Sequence, residues 1–151
     1  INTIFKEPKL KRYVIDDSQF LMVNAMFDRA KEVGYAKYTD FALDFRNLVH
    51  NVNFALPDDV IVYFLHHTEQ TQDGKLKTKT IGKMLDQNLG GLEGMFSIVL
   101  LAQTDGNDYW FQTQSDGYSP CKSPMLMFEE KKIPNDLKSV DATIRSYYEV
   151  S

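Results

Sequence analysis

Two carboxylates stand side by side at Asp16 and Asp17, directly after the apolar run Tyr13-Val14-Ile15. Two imidazoles stand side by side at His66 and His67, after a longer apolar run from Val60 to Leu65. Adjacent carboxylates suit a hard cation that keeps several of its waters, and the second acid can orient or activate an attacking water. The same spelling also fits a strand end followed by an Asx-type helix cap. Of the two histidines, alternation along a strand turns at most one towards a given face. It would sense a phosphate or position water, or both rings simply end a strand in solvent. Lys75, Lys77, Lys79 and Lys83 crowd into nine residues beside Thr78 and Thr80. They suit phosphate contacts with nucleic acid or with a neighbouring subunit's nucleotide, and equally a solvated loop. Lys122 lies between Pro120 and Pro124, on a loop stiff enough to hold out a cation. Cys121 is the sole cysteine, with no histidine near it in sequence, and reads as an inert thiol. With His50 on a predicted helix, no zinc spacing emerges.

Hydrophobic patterning predicts the elements that carry these groups. Tyr13–Ile15 and Val60–Leu65 are β-favouring runs suited to strands buried on both faces. Between them, Ser18 is placed to cap a helix through Leu21, Met22, Ala25 and Met26 that stops near Gly34. A second helix is predicted from Asp40 to Ala55, capped by Thr39 or Asp40 and closed off by Pro57. Asp73-Gly74 marks a turn, and Thr80–Asn88 a short helix broken by Gly90-Gly91. Met95–Ala102 reads as a third apolar strand, joined through Asp105-Gly106-Asn107-Asp108 to a hairpin partner at Tyr109–Gln114. Tyr109, Trp110 and Phe111 alternate as packed sheet residues do. A terminal amphipathic helix starts at a cap on Asn135 or Asp136 and keeps Leu137, Val140 and Ile144 on one stripe.

This order predicts a single α/β domain with a mainly parallel sheet, helices on its faces and an antiparallel hairpin at its edge. Ligands of such sheets gather at the carboxyl ends of the strands, where both the aspartates and the histidines fall. The 151 residues are ample for a core, and 43% hydrophobic with 25% charged content is ordinary for a globular chain. A net charge of −4 excludes an all-over basic coat but allows a local basic patch. No run approaches the length of a membrane span, so no membrane partner is expected. With one cysteine, a reducing, cytoplasmic setting is expected.

Taken in order, YVIDDSQFLM, DDVIVYFLHHTE, GKLKTKTIGKMLD, LEGMFSIVL and KSPMLMFEEKKIPNDL resemble the C-terminal part of phage-encoded RecA-like P-loop ATPases. This AAA-type family includes members associated with single-strand annealing and recombination. The resemblance runs from about Lys9 to Tyr148 and implies a RecA-like core. It makes Asp16 the Walker B aspartate that holds magnesium through water, and Asp17 its acidic neighbour that polarises the attacking water. His66 or His67 would be the polar sensor beside ATP, His67 matching better. Thr68–Lys79 would be the mobile loop that faces single-stranded DNA, with Lys75, Lys77 and Lys79 on it and Lys83 just beyond it as the DNA contacts. Lys122 would reach a neighbour's nucleotide, within a ring or filament in a bacterial host.

One departure is plain. The family's phosphate loop, GxxxxGK[ST], does not occur among these residues: Gly82-Lys83 is followed by Met84, with no partner glycine upstream. The expectation is that it precedes Ile1, and that this chain by itself does not hydrolyse ATP. Two other readings of the same residues are a non-catalytic DNA-binding or interaction module and, with less in its favour, a magnesium-dependent nuclease.

Overall fold

The first strand, β1 (Arg12–Ile15), lies parallel to β2 (Ile61–Phe64), with Arg12 opposite Ile61 and Ile15 opposite Phe64. These are the two apolar runs that precede the acidic and the histidine pairs. Between them run α1 (Gln19–Asp28) and α2 (Ala36–Ala55), the connection that parallel strands require. The computed structural model describes residues 5, 6 and 8–151, with the side chains of 87–89 excepted.

The chain divides into two compact units. One comprises the residues up to Thr68 together with Thr78–Met95; the other comprises Glu69–Lys77 and Phe96–Ser151. In the first, Phe41, Ala42, Phe45 and Val49 follow the helical period along α2 and are buried. Met22 of α1, with Leu85 and Leu92, completes this core. Helix α1 ends at Asp28, short of Gly34, and α2 begins at Ala36, a turn ahead of the predicted cap at Thr39 or Asp40. Polar stitching explains both shifts. The Arg29 guanidinium reaches Glu32 at 2.7 Å and Asp40 at 2.8 Å. Lys37 Nζ donates to the carbonyls of Arg29 and Glu32. At the other end, Leu56 turns to an extended conformation before Pro57, as a residue preceding proline must.

Next come β3 (Thr68–Gln70) and β4 (Leu76–Thr78), two strands of one small sheet. Between them Thr71 N donates to Lys75 O at 2.8 Å, and Gly74 supplies a positive φ of 82°. Within the stretch expected to face DNA, these two short strands pair with each other. A short helix, α3 (Met84–Leu89), and a 3₁₀ turn (Leu92–Met95) finish the first unit.

The second unit is built on β5 (Leu101–Thr104), β6 (Tyr109–Gln112) and β7 (Lys132–Pro134), in the order β5-β6-β7, all antiparallel. The Asp105–Asp108 hairpin forms as predicted, Asp105 Oδ1 accepting from the amides of Asn107 and Asp108. The terminal helix α4 (Leu137–Tyr148) also follows its prediction, capped by Asp136, whose side chain accepts from Lys138 N. Val140 and Ile144 bury its apolar stripe, and Met127 and Cys121 are buried in the same unit.

The strand predicted at Met95–Ala102 is corrected. Its first residue closes the 3₁₀ turn, and regular pairing begins only at Leu101. A four-residue turn makes antiparallel pairing with β6 immediately available, whereas a parallel place beside β1 and β2 needs a long crossover. Among the described residues the parallel sheet therefore has two strands, and the chain is a mixed α/β protein of small sheets rather than one mainly parallel sheet. No helix among the described residues is long and apolar enough to cross a membrane.

Phe41 is nearly sealed, with Tyr38 edge-on at 6.0 Å and the Arg29 guanidinium 5.4 Å from its ring centre. Phe41→Ala is expected to cost about 3–5 kcal/mol in urea unfolding, the range for emptying a buried aromatic site.

Candidate functional site

The parallel pairing continues past the last strand residues. Leu65 N donates to Ile15 O at 3.0 Å, and Ser18 N donates to Leu65 O at 2.8 Å. Asp16-Asp17-Ser18 and Leu65-His66-His67 are thereby set beside each other at the carboxyl ends of β1 and β2. The turn from β1 into α1 takes only three residues, Asp16 to Ser18, and Asp17 sits in the left-handed region at φ 48°. Asp is among the few residues that accept this conformation.

Each side chain of the turn has its own bonding. The Asp16 carboxylate is exposed and carries no hydrogen bond or ion pair among the described residues. Asp17 Oδ1 faces His67 Nε2 at 3.0 Å, both groups more than half exposed. Gln19 is buried and ties the two ends together: its Nε2 donates to Asp17 Oδ1 at 3.3 Å, and its Oε1 accepts from His67 N at 3.2 Å. Ser18 is fully buried at the N-cap position of α1, yet it makes no capping bond. Its hydroxyl lies 2.8 Å from His66 Nδ1 instead. The predicted cap is corrected accordingly, since the imidazole competes successfully for the hydroxyl.

His66 is the most constrained of these groups. Its Nε2 is 2.7 Å from Lys79 O, and its ring stands edge-on to Phe45. A carbonyl can only accept, so Nε2 carries the proton, and the neutral ring leaves Nδ1 to accept from the Ser18 hydroxyl. Burial holds the His66 imidazolium below its ordinary pKa of 6.5 and outweighs the bond to Lys79 O and the nearby Glu93 carboxylate. Lys79 N returns a bond to His67 O at 2.9 Å. Beside it, buried Glu93 accepts from Thr78 N at 2.8 Å and from Thr78 Oγ1 at 2.9 Å. Gly91 makes room for that carboxylate, because a Cβ there would lie 2.3 Å from Glu93 Oε2.

The structure thus joins Asp17 with His67 on the exposed side, and Ser18 with His66 against Phe45, so the two rings face different surroundings as strand alternation leads one to expect. The remaining predicted residues divide. Lys79 and Lys83 are exposed in the first unit. Lys75 and Lys77 lie on the hairpin, where Lys75 pairs with Asp73 at 3.2 Å and Lys77 with Glu69 at 3.0 Å. Lys122 belongs to the second unit and is held by its backbone, N and O both bonded to Val99. Burial pushes the Cys121 thiol pKa up, which suits an inert residue. Sequence reasoning passed over Ser18 as more than a cap, and over Gln19 and Glu93 altogether. The available signal for Gln19 was a long polar side chain opening an otherwise apolar helix directly behind two aspartates.

Among the described residues, no three or more His, Cys, Asp or Glu side chains converge to enclose a metal ion. The donors present fit a magnesium ion only as a minor share of its shell: one free carboxylate at Asp16, with waters and a ligand supplying the rest. Comparison with family models, curated proteins and solved structures finds no match to this chain.

Because His66 is held neutral in the fold, the unfolded state binds more protons below 6.5, and stability must fall there. The His66 contribution is complete above 6.5 and is lost as pH descends from there to the lowered folded value. Urea midpoints taken across that window should fall more steeply for the parent than for His66→Gln. Parallel curves would place the burial elsewhere.

Proposed function

We propose that this chain is the acidic-strand portion of a phage-type RecA-like P-loop ATPase that acts on single-stranded DNA in recombination or annealing. The carrying observation is the meeting of Asp16-Asp17 with His66-His67 at the carboxyl ends of two parallel strands. That is where an open α/β sheet places its ligand. The order of motifs along the chain supports the same reading.

Two parallel strands are not by themselves a RecA-like core. The proposal therefore requires further parallel strands, and a phosphate loop of the GxxxxGK[ST] type, from polypeptide outside these 151 residues. Bound magnesium would supply neutralisation of phosphate charge. Asp16, with no side-chain partner among the described residues, is the residue to hold it, through water. Asp17 has one oxygen engaged by His67 and Gln19 and uses the other to orient the attacking water. His67, tethered through Nε2, presents its remaining ring nitrogen towards the transferred phosphate. Catalysis would then rest on positioning and electrostatics rather than on a covalent intermediate. Lys75, Lys77, Lys79 and Lys83 would follow the DNA backbone, and Lys122 would reach a neighbouring subunit's nucleotide in a ring or filament.

In the polypeptide that carries the phosphate loop, Asp16→Asn is expected to lower DNA-stimulated ATP hydrolysis about 10²–10³-fold, the loss typical of one preorganised electrostatic contact. Hydrolysis at the parental rate would remove the Walker B assignment. Replacing Lys75, Lys77 and Lys79 together by Gln should weaken oligo(dT) binding and reduce its log–log salt slope by about 2, at about 0.7 per phosphate contact. An unchanged slope would put the DNA elsewhere.

A further inference from the structure

The two strand-end imidazoles share a tautomer but differ in what becomes of the second ring nitrogen. At His66 both nitrogens are engaged, Nε2 with Lys79 O at 2.7 Å and Nδ1 with the Ser18 hydroxyl at 2.8 Å. At His67, Nε2 faces Asp17 Oδ1 at 3.0 Å. An ionised carboxylate only accepts, so this nitrogen carries the proton, and the neutral ring keeps a lone pair on Nδ1. Among the described residues nothing bonds to His67 Nδ1, and the side chain is 61% exposed. The acidic turn therefore holds one imidazole acceptor that is oriented, open to solvent and left over from the bonding of the fold.

The pair is held from beneath. Buried Gln19 accepts from His67 N at 3.2 Å and donates to Asp17 Oδ1 at 3.3 Å, so that this oxygen is committed from two sides. Lys79 N, bonded to His67 O at 2.9 Å, fixes the backbone again. Basicity then divides the labour. Near neutral pH an imidazole takes a proton from water more readily than a carboxylate does. A carboxylate behind the ring instead fixes its tautomer and balances the charge that the ring gains.

We propose that His67 is the general base of this site: Nδ1 takes a proton from the attacking water, and Asp17 orients the ring through Nε2. The step rests on the ATPase reading above and narrows it. As the water oxygen bonds to the γ-phosphorus, one of its protons passes to Nδ1. The bond from that phosphorus to the bridging oxygen breaks, and its electron pair leaves with ADP. The imidazolium then returns its proton to solvent, which its exposure allows. The free oxygen of Asp17 still orients the water. A base so placed contributes about 10²–10⁴-fold in rate.

Ring-nitrogen NMR of the isotope-labelled chain reads the tautomer of the neutral ring directly. The proton is expected on Nε2 of His67, with Nδ1 bare. Asp17→Asn, whose amide can turn to donate to Nε2, should move the proton to Nδ1. A parent ring protonated on Nδ1 instead would overturn the proposal whatever the kinetics. In the polypeptide that carries the phosphate loop, His67→Gln should lower kcat for ATP by about 10²–10⁴-fold, with KM little changed and the thermal midpoint kept. His67→Gly should fall as far, and added imidazole should restore part of its rate, which a merely structural ring would not allow. A variant as fast as the parent, or a glycine variant that imidazole leaves slow, would remove the base and leave the wider reading standing. A parent that hydrolyses no ATP would remove both.

Discussion

The parallel register between β1 and β2 is the constraint from which the candidate site follows. Ile15 opposite Phe64 fixes where each strand ends, and the bond from Ser18 N to Leu65 O carries that alignment into the turn. A slip of one residue would send every side chain to the other face and part Asp17 from His67. Two strands alone make a weak sheet, so polar contacts must hold what strand pairing does not. Ser18 to His66, His66 to Lys79, Gln19 to both ends and Glu93 to Thr78 form that brace. Each such bond contributes about 0.5–1.5 kcal/mol net, whereas a buried member left unpaired costs about 1–3 kcal/mol. The brace therefore acts chiefly by penalising every arrangement but this one.

Within this frame the charged groups are sorted by exposure. The buried Ser18, Gln19 and Glu93 and the half-buried His66 all have their bonding met inside the fold. Asp16, Asp17 and His67 remain open to solvent, and Asp16 has nothing to neutralise it among the described residues. A satisfied inner layer thus lies beneath an acidic turn that is open to solvent. The left-handed Asp17 belongs to the same logic, since backbone strain persists where the surroundings over-determine it.

Much of the site was legible from the residues themselves. Short apolar runs ending in DD and HH, with a helix-forming stretch between, specify two parallel strands and their carboxyl ends. The hairpin at Asp105–Asp108 and the cap at Asp136 were readable because their determinants are local: an Asx residue bonding amides two and three positions on. The illegible parts depend on partners far apart in sequence. Ser18 looks like a cap until His66, 48 residues away, takes its hydroxyl. Met95–Ala102 looks like a buried strand because apolar runs do not state which partner they pair with or where pairing begins. Gln19 and Glu93 are ordinary polar residues in sequence, and only burial beside Asp17 and Thr78 gives them a role. The start of α2 moved because Arg29 and Lys37 close the preceding loop, which no helical pattern encodes.

The central claim is that the acidic turn and the strand-end histidines form one site for a metal-bound phosphate ligand. Paramagnetic broadening by manganese(II), added with ATP to the isotope-labelled polypeptide that carries the phosphate loop, tests it most directly. The account predicts that the amides of Asp16 and Asp17 and the ring signals of His67 broaden together and first, and that Asp16→Asn abolishes the effect. Broadening centred elsewhere, or unchanged by Asp16→Asn, would contradict it.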